Sequence, residues 1–206
     1  MHPTTHLLYL HGFRSSPKSM KAQLMARAIH MQAPKVTWLC PQLSHSPEQA
    51  MSDALEATRD WPAASSTVIG SSLGGFYARW LGLRQGWRRV LLNPAAHPAR
   101  DLARHLGTQT AWHDPETRFD FEQTHVEALE AMEHEILEWS PARPATPEQQ
   151  MAIITEGDEV LDWREMEAFC AGGHTVRLAG GDHAISNFAD HLPSVMKFVR
   201  PRLDGA

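Results

Sequence analysis

Ser72 stands in Gly70-Ser71-Ser72-Leu73-Gly74, after the β-branched run Thr67-Val68-Ile69 and before Phe76, Trp80 and Leu83 at helical spacing. A serine hydroxyl is a weak nucleophile. It needs a base to take its proton and a carboxylate to hold that base in the right tautomer. In a Gly-x-Ser-x-Gly pattern the glycines permit a strained strand-to-helix turn that lifts the serine above a sheet, and its partners follow in the order acid, then histidine. The pentapeptide alone is modest evidence: at Gly and Ser frequencies of about 7% it arises by chance in on the order of one in fifteen chains of this length. The strand before it, the helix after it and Gly75, which leaves room for close helix packing, supply the required context. Ser72 is therefore the candidate nucleophile.

The downstream partners are found at two glycine turns. In Thr155-Glu156-Gly157-Asp158-Glu159-Val160 the turn projects an acid from a strand end, and Asp158 is the candidate acid. Glu156 precedes the turn, while Glu159 and Asp162 suit solvent or the cap of the next helix. In Ala179-Gly180-Gly181-Asp182-His183 a second turn offers an imidazole where a general base is needed, which selects His183 among thirteen histidines. His11 adjoins the same region, and hydrogen bonding that shapes its loop is its expected role.

A tetrahedral intermediate needs two backbone donors, one after the nucleophile and one after an earlier strand. Leu73 and Phe13 fit those places, with Gly12 or Arg14 open for the second amide and the Phe13 side chain available as a wall of the acyl pocket. Trp112, Trp139 and Phe119 are aromatic candidates for lining a substrate groove, although such residues also serve as plain packing.

The elements that must position these groups read as alternating strands and helices. Strands are expected at 6–10, 36–40, 67–69, 90–92, 151–154 and 175–178, short and continuously apolar, as strands buried on both faces should be. Ser16-Pro17 opens a helix with Met20, Leu24 and Met31 near one face. Ser46-Pro47-Glu48-Gln49 has capping-box form ahead of Ala50, Met51, Ala54 and Leu55. Thr124-His125-Val126-Glu127 is another box, leading Val126, Leu129, Met132, Ile136 and Leu137 to Trp139. A last helix, about 186–199, is expected to break at Pro193. The result is a compact α/β fold of the α/β-hydrolase type: about six mainly parallel strands, helices on both faces, and a small helical cap or lid at 95–149, all within one domain over 1–206.

Composition narrows the partners. Hydrophobic residues at 42% and charged residues at 21% are ordinary globular values. A formal net charge of −5, with only Arg84, Arg88 and Arg89 clustered, opposes nucleic-acid binding. No apolar run is long enough to span a bilayer and no leader pattern opens the chain, so a cytoplasmic location without stable membrane insertion is expected. Cys40 and Cys170 are too few for a disulfide scaffold. Without H-E-x-x-H or paired Cys/His spacing, a metal is not implied. Oligomeric state is not readable.

Five ordered blocks carry a family likeness: Tyr9-Leu10-His11-Gly12-Phe13 with Ser15-Ser16-Pro17, residues 70–78, Asn93-Pro94-Ala95, residues 157–162, and residues 180–184. Together they resemble the YqiA-type family of small α/β-hydrolase esterases over nearly the whole chain. The resemblance implies carboxylic-ester hydrolysis of a small-molecule acyl ester, extending to acyl thioesters, with Ser72, Asp158 and His183 at the family's triad positions and no cofactor. Ile185 departs from the aromatic residue expected after the His-Ala pair and bears on pocket shape. Two other readings use the same sequence: an acyl thioesterase with the same triad, and a non-catalytic binding protein on this scaffold, which predicts a damaged nucleophile, acid or base.

Overall fold

The computed structural model describes residues 2–112, 114 and 116–203. Its strands are β1 (His6–Leu10), β2 (Thr37–Leu39), β3 (Ser66–Ser71), β4 (Arg88–Leu92), β5 (Gly107–Thr110), β6 (Arg118–Phe121), β7 (Gln150–Thr155) and β8 (His174–Leu178). Six form one sheet in the order β2-β1-β3-β4-β7-β8, every neighbouring pair parallel. β5 and β6 make a separate antiparallel ribbon.

Side chains alternate between the two faces of a strand, and here both faces are apolar. Leu8 and Leu10, Val68, Leu91, and Ala152 and Ile154 join a core on one side. Leu7 and Tyr9, Ile69, Val90 and Leu92, and Met151 and Ile153 join a core on the other. Each fully buried side chain of this size contributes about 1.5–3 kcal/mol relative to exposure, so both faces must be covered. Helices α1 (Met20–Gln32) and α7 (Phe188–Val199) cover the second side. Helices α2 (Pro47–Ala57), α3 (Leu73–Gln85), α5 (Gln123–Trp139) and α6 (Trp163–Phe169) cover the first, and the short α4 (Pro98–Leu102) follows β4. Ser46 caps α2 by accepting from the Gln49 amide.

Several expectations need correcting. In α1 the stripe Met20, Leu24, Met31 is not the packed face, since Met20 and Met31 are exposed; Ala22, Met25, Ala28 and Ile29 are the residues that meet the sheet. Helix α5 is capped by Glu122 rather than Thr124, with the box closed by His125, and Leu137 points to solvent. Helix α7 runs through Pro193 without a break; proline removes one backbone donor, and the apolar face of Phe188, Val195, Met196 and Val199 holds the turn in place. The 95–149 segment, expected to be a small helical cap, contains the β5–β6 ribbon as well as helices; its residues His113 and Pro115 lie outside those described. Helix α5 lays Val126, Leu129, Met132 and Ile136 into the main core. Among the described residues no helix is long and apolar enough to cross a membrane.

Candidate active site

The carboxyl ends of β3, β7 and β8 lie on one edge of the sheet, and each ends in a turn that presents one polar side chain. Ser72 leaves β3 with φ 56° and ψ −123° as the residue before α3. A non-glycine residue with positive φ is strained by about 1–3 kcal/mol and persists only where its surroundings impose it. Close packing imposes it here, because a Cβ on Gly70 would collide with the Gly74 carbonyl. The turn holds Ser72 N–H on the Leu92 carbonyl at 3.0 Å, tying the elbow to β4.

Ser72 Oγ lies 3.0 Å from His183 Nε2, and His183 Nδ1 lies 2.7 Å from Asp158 Oδ2. A carboxylate only accepts, so Nδ1 carries the proton and Nε2 is left to accept from the serine. The other Asp158 oxygen accepts from the Val160 and Leu161 amides, each at 2.8 Å. The Asp158 side chain is fully enclosed, whereas that of His183 is 21% exposed, so the line runs from a sealed carboxylate to a more accessible imidazole and hydroxyl.

The competing acids have other duties. Glu156 pairs with Arg177 at 2.9 Å. Asp162 caps α6 through the Arg164 amide. Glu159, expected to face solvent or cap a helix, is exposed and also accepts from the His183 amide at 2.9 Å, bracing that residue's main chain.

Leu73 opens α3, where the first amides have no intrahelical acceptor. The loop after β1 closes over Ser72: a Cβ on Gly12 would stand 3.2 Å from Ser72 Cβ and 3.6 Å from its Oγ. Phe13 follows in that loop. His11 shapes it, because its Nε2 accepts from the Leu43 amide at 3.1 Å, leaving Nδ1–H to donate to the Gly12 carbonyl at 3.0 Å.

A cavity of about 660 Å³ opens beside Ser72 and His183, walled by Phe13, Leu73, Leu102, Trp112 and Leu161. Phe13 and Trp112 therefore both line this cavity. Trp139 does not: it ends α5 and packs on Trp80 of α3 with ring centroids 5.9 Å apart, because the last turn of α5 rests on α3 away from this cavity. Phe119 stands behind Phe13, edge-on at 5.9 Å, and stacks on His45.

Two further residues were not singled out for a role. Asn93, wholly buried at the end of β4, donates to Thr155 Oγ1 at 2.9 Å and to the carbonyls of Asp182 and His183 at 3.1 and 3.2 Å, and its Oδ1 accepts from the Thr155 amide. It ties three strand ends together under His183. Its signal was a polar residue directly after a fully apolar strand. Lys21 is buried in α1 and donates to the Ala184 carbonyl beside His183. Burial brings its ammonium down to about 8, against the pull of Asp182 and Asp158. A lysine beside the apolar Ala22 and Met25 face was the clue.

Residues 6–200 match the model of a family described as "Uncharacterised protein family (UPF0227)". A UPF0227 protein of Shewanella baltica is 20% identical over 194 residues, covering 93% of this chain and 98% of that protein. One of Yersinia enterocolitica is 28% identical over 98 residues, 47% of this chain and 54% of that protein. Among solved structures, Est1E from Butyrivibrio proteoclasticus with bound ferulic acid superposes with a TM-score of 0.69 at 13% identity, covering 96% of this chain and 87% of that one. A structure described under LipS and LipT, two metagenome-derived lipolytic enzymes, gives 0.67 at 18% identity, with 97% and 96% covered. Mouse alpha/beta hydrolase domain-containing protein 10 gives 0.65 at 13% identity, with 96% and 92% covered. At these identities the likeness shows the α/β-hydrolase fold.

Proposed function

The chain belongs to the UPF0227 family, the YqiA-type family that its motifs resemble, and because that family's description assigns no activity we propose its function from the site: a serine hydrolase that cleaves carboxylic acyl esters through an acyl-enzyme. The observation that carries this reading is the unbroken line from Asp158 through His183 to Ser72 at the wall of an open cavity. Esterase and lipolytic neighbours of the same fold support it.

In this reading His183 Nε2 takes the Ser72 proton as Oγ attacks the carbonyl, and Asp158 stabilises the imidazolium that forms. The amides of Leu73 and Phe13 receive the oxyanion. His183 then gives the proton to the leaving alcohol. A water molecule, deprotonated by the same nitrogen, attacks the acyl-enzyme, and collapse of the second intermediate returns the proton to Ser72 and releases the acid. Phe13 and Trp112 wall the acyl groove, and the 95–149 segment caps the site within a single domain. With Cys40 and Cys170 both unpaired, the reading places the protein in the cytoplasm.

The test is Ser72→Ala assayed with p-nitrophenyl butyrate. Loss of a triad nucleophile lowers kcat by roughly 10⁶-fold, with the melting temperature retained, since only a hydroxyl at the cavity wall is removed. Turnover by the pure variant at the wild-type rate would end this reading.

A further inference from the structure

The loop after β1 and the β5–β6 ribbon meet at Arg14. The Ser15 amide donates to the Gly12 carbonyl at 3.2 Å, closing a four-residue turn whose third residue, Arg14, has φ 59°. Type II turns require that sign of φ and normally place glycine there. With arginine in the position, a type I turn competes, and the two differ by reversal of the peptide between Phe13 and Arg14. The turn that lies over Ser72 is therefore one its own sequence does not favour.

What opposes reversal comes from the ribbon. Arg14 Nε donates to the Thr110 carbonyl at 2.6 Å. The Trp112 amide donates to the Arg14 carbonyl at 2.8 Å. The guanidinium lies 4.2 Å from the centroid of the Trp112 ring. Next to it the Phe13 ring packs edge-on against Phe121 of β6 at 5.2 Å. Trp112 is 71% exposed, so its packing contributes little to the core, yet it grips both the main chain and the side chain of Arg14.

We propose that Arg14 and Trp112 are positioning residues for the oxyanion site: the ribbon straps Arg14 in its left-handed conformation and thereby fixes the Phe13–Arg14 peptide next to the Phe13 amide, so that reversal cannot turn that peptide's carbonyl dipole on the oxyanion. The proposal rests on the serine-hydrolase reading. It changes the part assigned to Trp112, whose main effect becomes the rate of the chemical step rather than the fit of the acyl group. Because Arg14 is held through its main chain as well as its side chain, a small displacement of the ribbon passes directly to the turn.

The test uses p-nitrophenyl butyrate turnover together with inhibition by an alkyl trifluoromethyl ketone, whose adduct with a serine places an oxyanion in the same site. Removing a whole oxyanion donor lowers kcat by about 10²–10³-fold, and loosening one lowers it less. Trp112→Ala is expected to lower kcat about tenfold, leave KM within about twofold and weaken the ketone by the same tenfold. Trp112→Phe, which keeps a ring for the guanidinium, recovers most of the loss. Arg14→Gly, which accepts positive φ without strain, loses less than Arg14→Ala. A rise in KM at unchanged kcat, or unchanged ketone affinity in Trp112→Ala and Arg14→Ala, overturns the proposal. If Ser72→Ala is inactive while those two variants behave as wild type, the positioning role alone fails. If Ser72→Ala stays active, both readings fall.

Discussion

At the amino end of the central sheet, polar side chains are buried and hydrogen-bonded to one another and to nearby carbonyls. Thr4 Oγ1 meets Thr67 Oγ1 at 2.8 Å and accepts from Arg88 at 2.6 Å; Arg89 Nε donates to Gln150 Oε1 at 2.7 Å, and Gln150 Nε2 donates to the Cys170 carbonyl at 2.8 Å. At the carboxyl end the polar groups are as well connected but face the cavity beside Ser72. The same end holds Arg14, Ser72, Asn93 and Ile185, non-glycine residues with positive φ. The contrast teaches that buried polarity by itself marks neither function nor stability. What separates the two ends is hydrogen-bonding capacity left open to a ligand, together with a concentration of backbone strain that the surrounding packing sustains: among the described residues the amino end has Arg200, bonded to Thr4, in that conformation, against four at the carboxyl end.

If that division is right, substitutions at the two ends should fail in different ways. The largest effect expected is at the site. Asp158→Asn keeps the shape but favours the wrong histidine tautomer, so kcat should fall by about 10⁴-fold while urea unfolding changes little; steady-state kinetics beside a denaturation curve checks both. At the opposite end, Gln150→Leu strands Arg89 Nε and the Cys170 carbonyl. It should destabilise by about 2–4 kcal/mol, with kcat per folded molecule unchanged. A kinetic defect there, measured well below the melting temperature, would break the comparison.

The smallest effect concerns Lys21, a charge buried beside the site. Burial moves its ammonium from the ordinary 10.5 to about 8, so the folded protein releases that proton before the unfolded chain does. Stability linked to this group is therefore lowest below pH 8 and rises as the pH climbs from about 8 toward 10.5. Lys21→Met should be more stable than wild type at pH 7 by about 1–3 kcal/mol, the gap closing by pH ~10. Urea unfolding of both proteins at several pH values measures it, and a gap that stays constant with pH would show that the ammonium is not the cause.

The sheet was legible because its strands are continuous apolar runs, a pattern that burial on both faces demands and that few other contexts permit. The proposed triad was legible because each member follows a glycine turn at a strand end. Helix faces were less so: Met20 and Met31 fit a helical period, but whether a methionine packs or faces water depends on where the sheet lies, which local spacing does not encode. The β5–β6 ribbon escaped notice because Gly107–Thr110 is polar, and its pairing with Arg118–Phe121 arises only when Phe121 enters the core. The part of Glu159 was hidden for the same reason, since its partner lies 24 residues away.

The central claim is that Ser72 is the activated nucleophile of an ester hydrolase. Incubation with a fluorophosphonate probe, peptide mass spectrometry of the adduct and p-nitrophenyl butyrate turnover in the same sample test it most directly. The account predicts one adduct, on Ser72, with turnover lost in proportion to labelling. Absence of both labelling and turnover in folded protein, or labelling elsewhere with turnover intact, would contradict it.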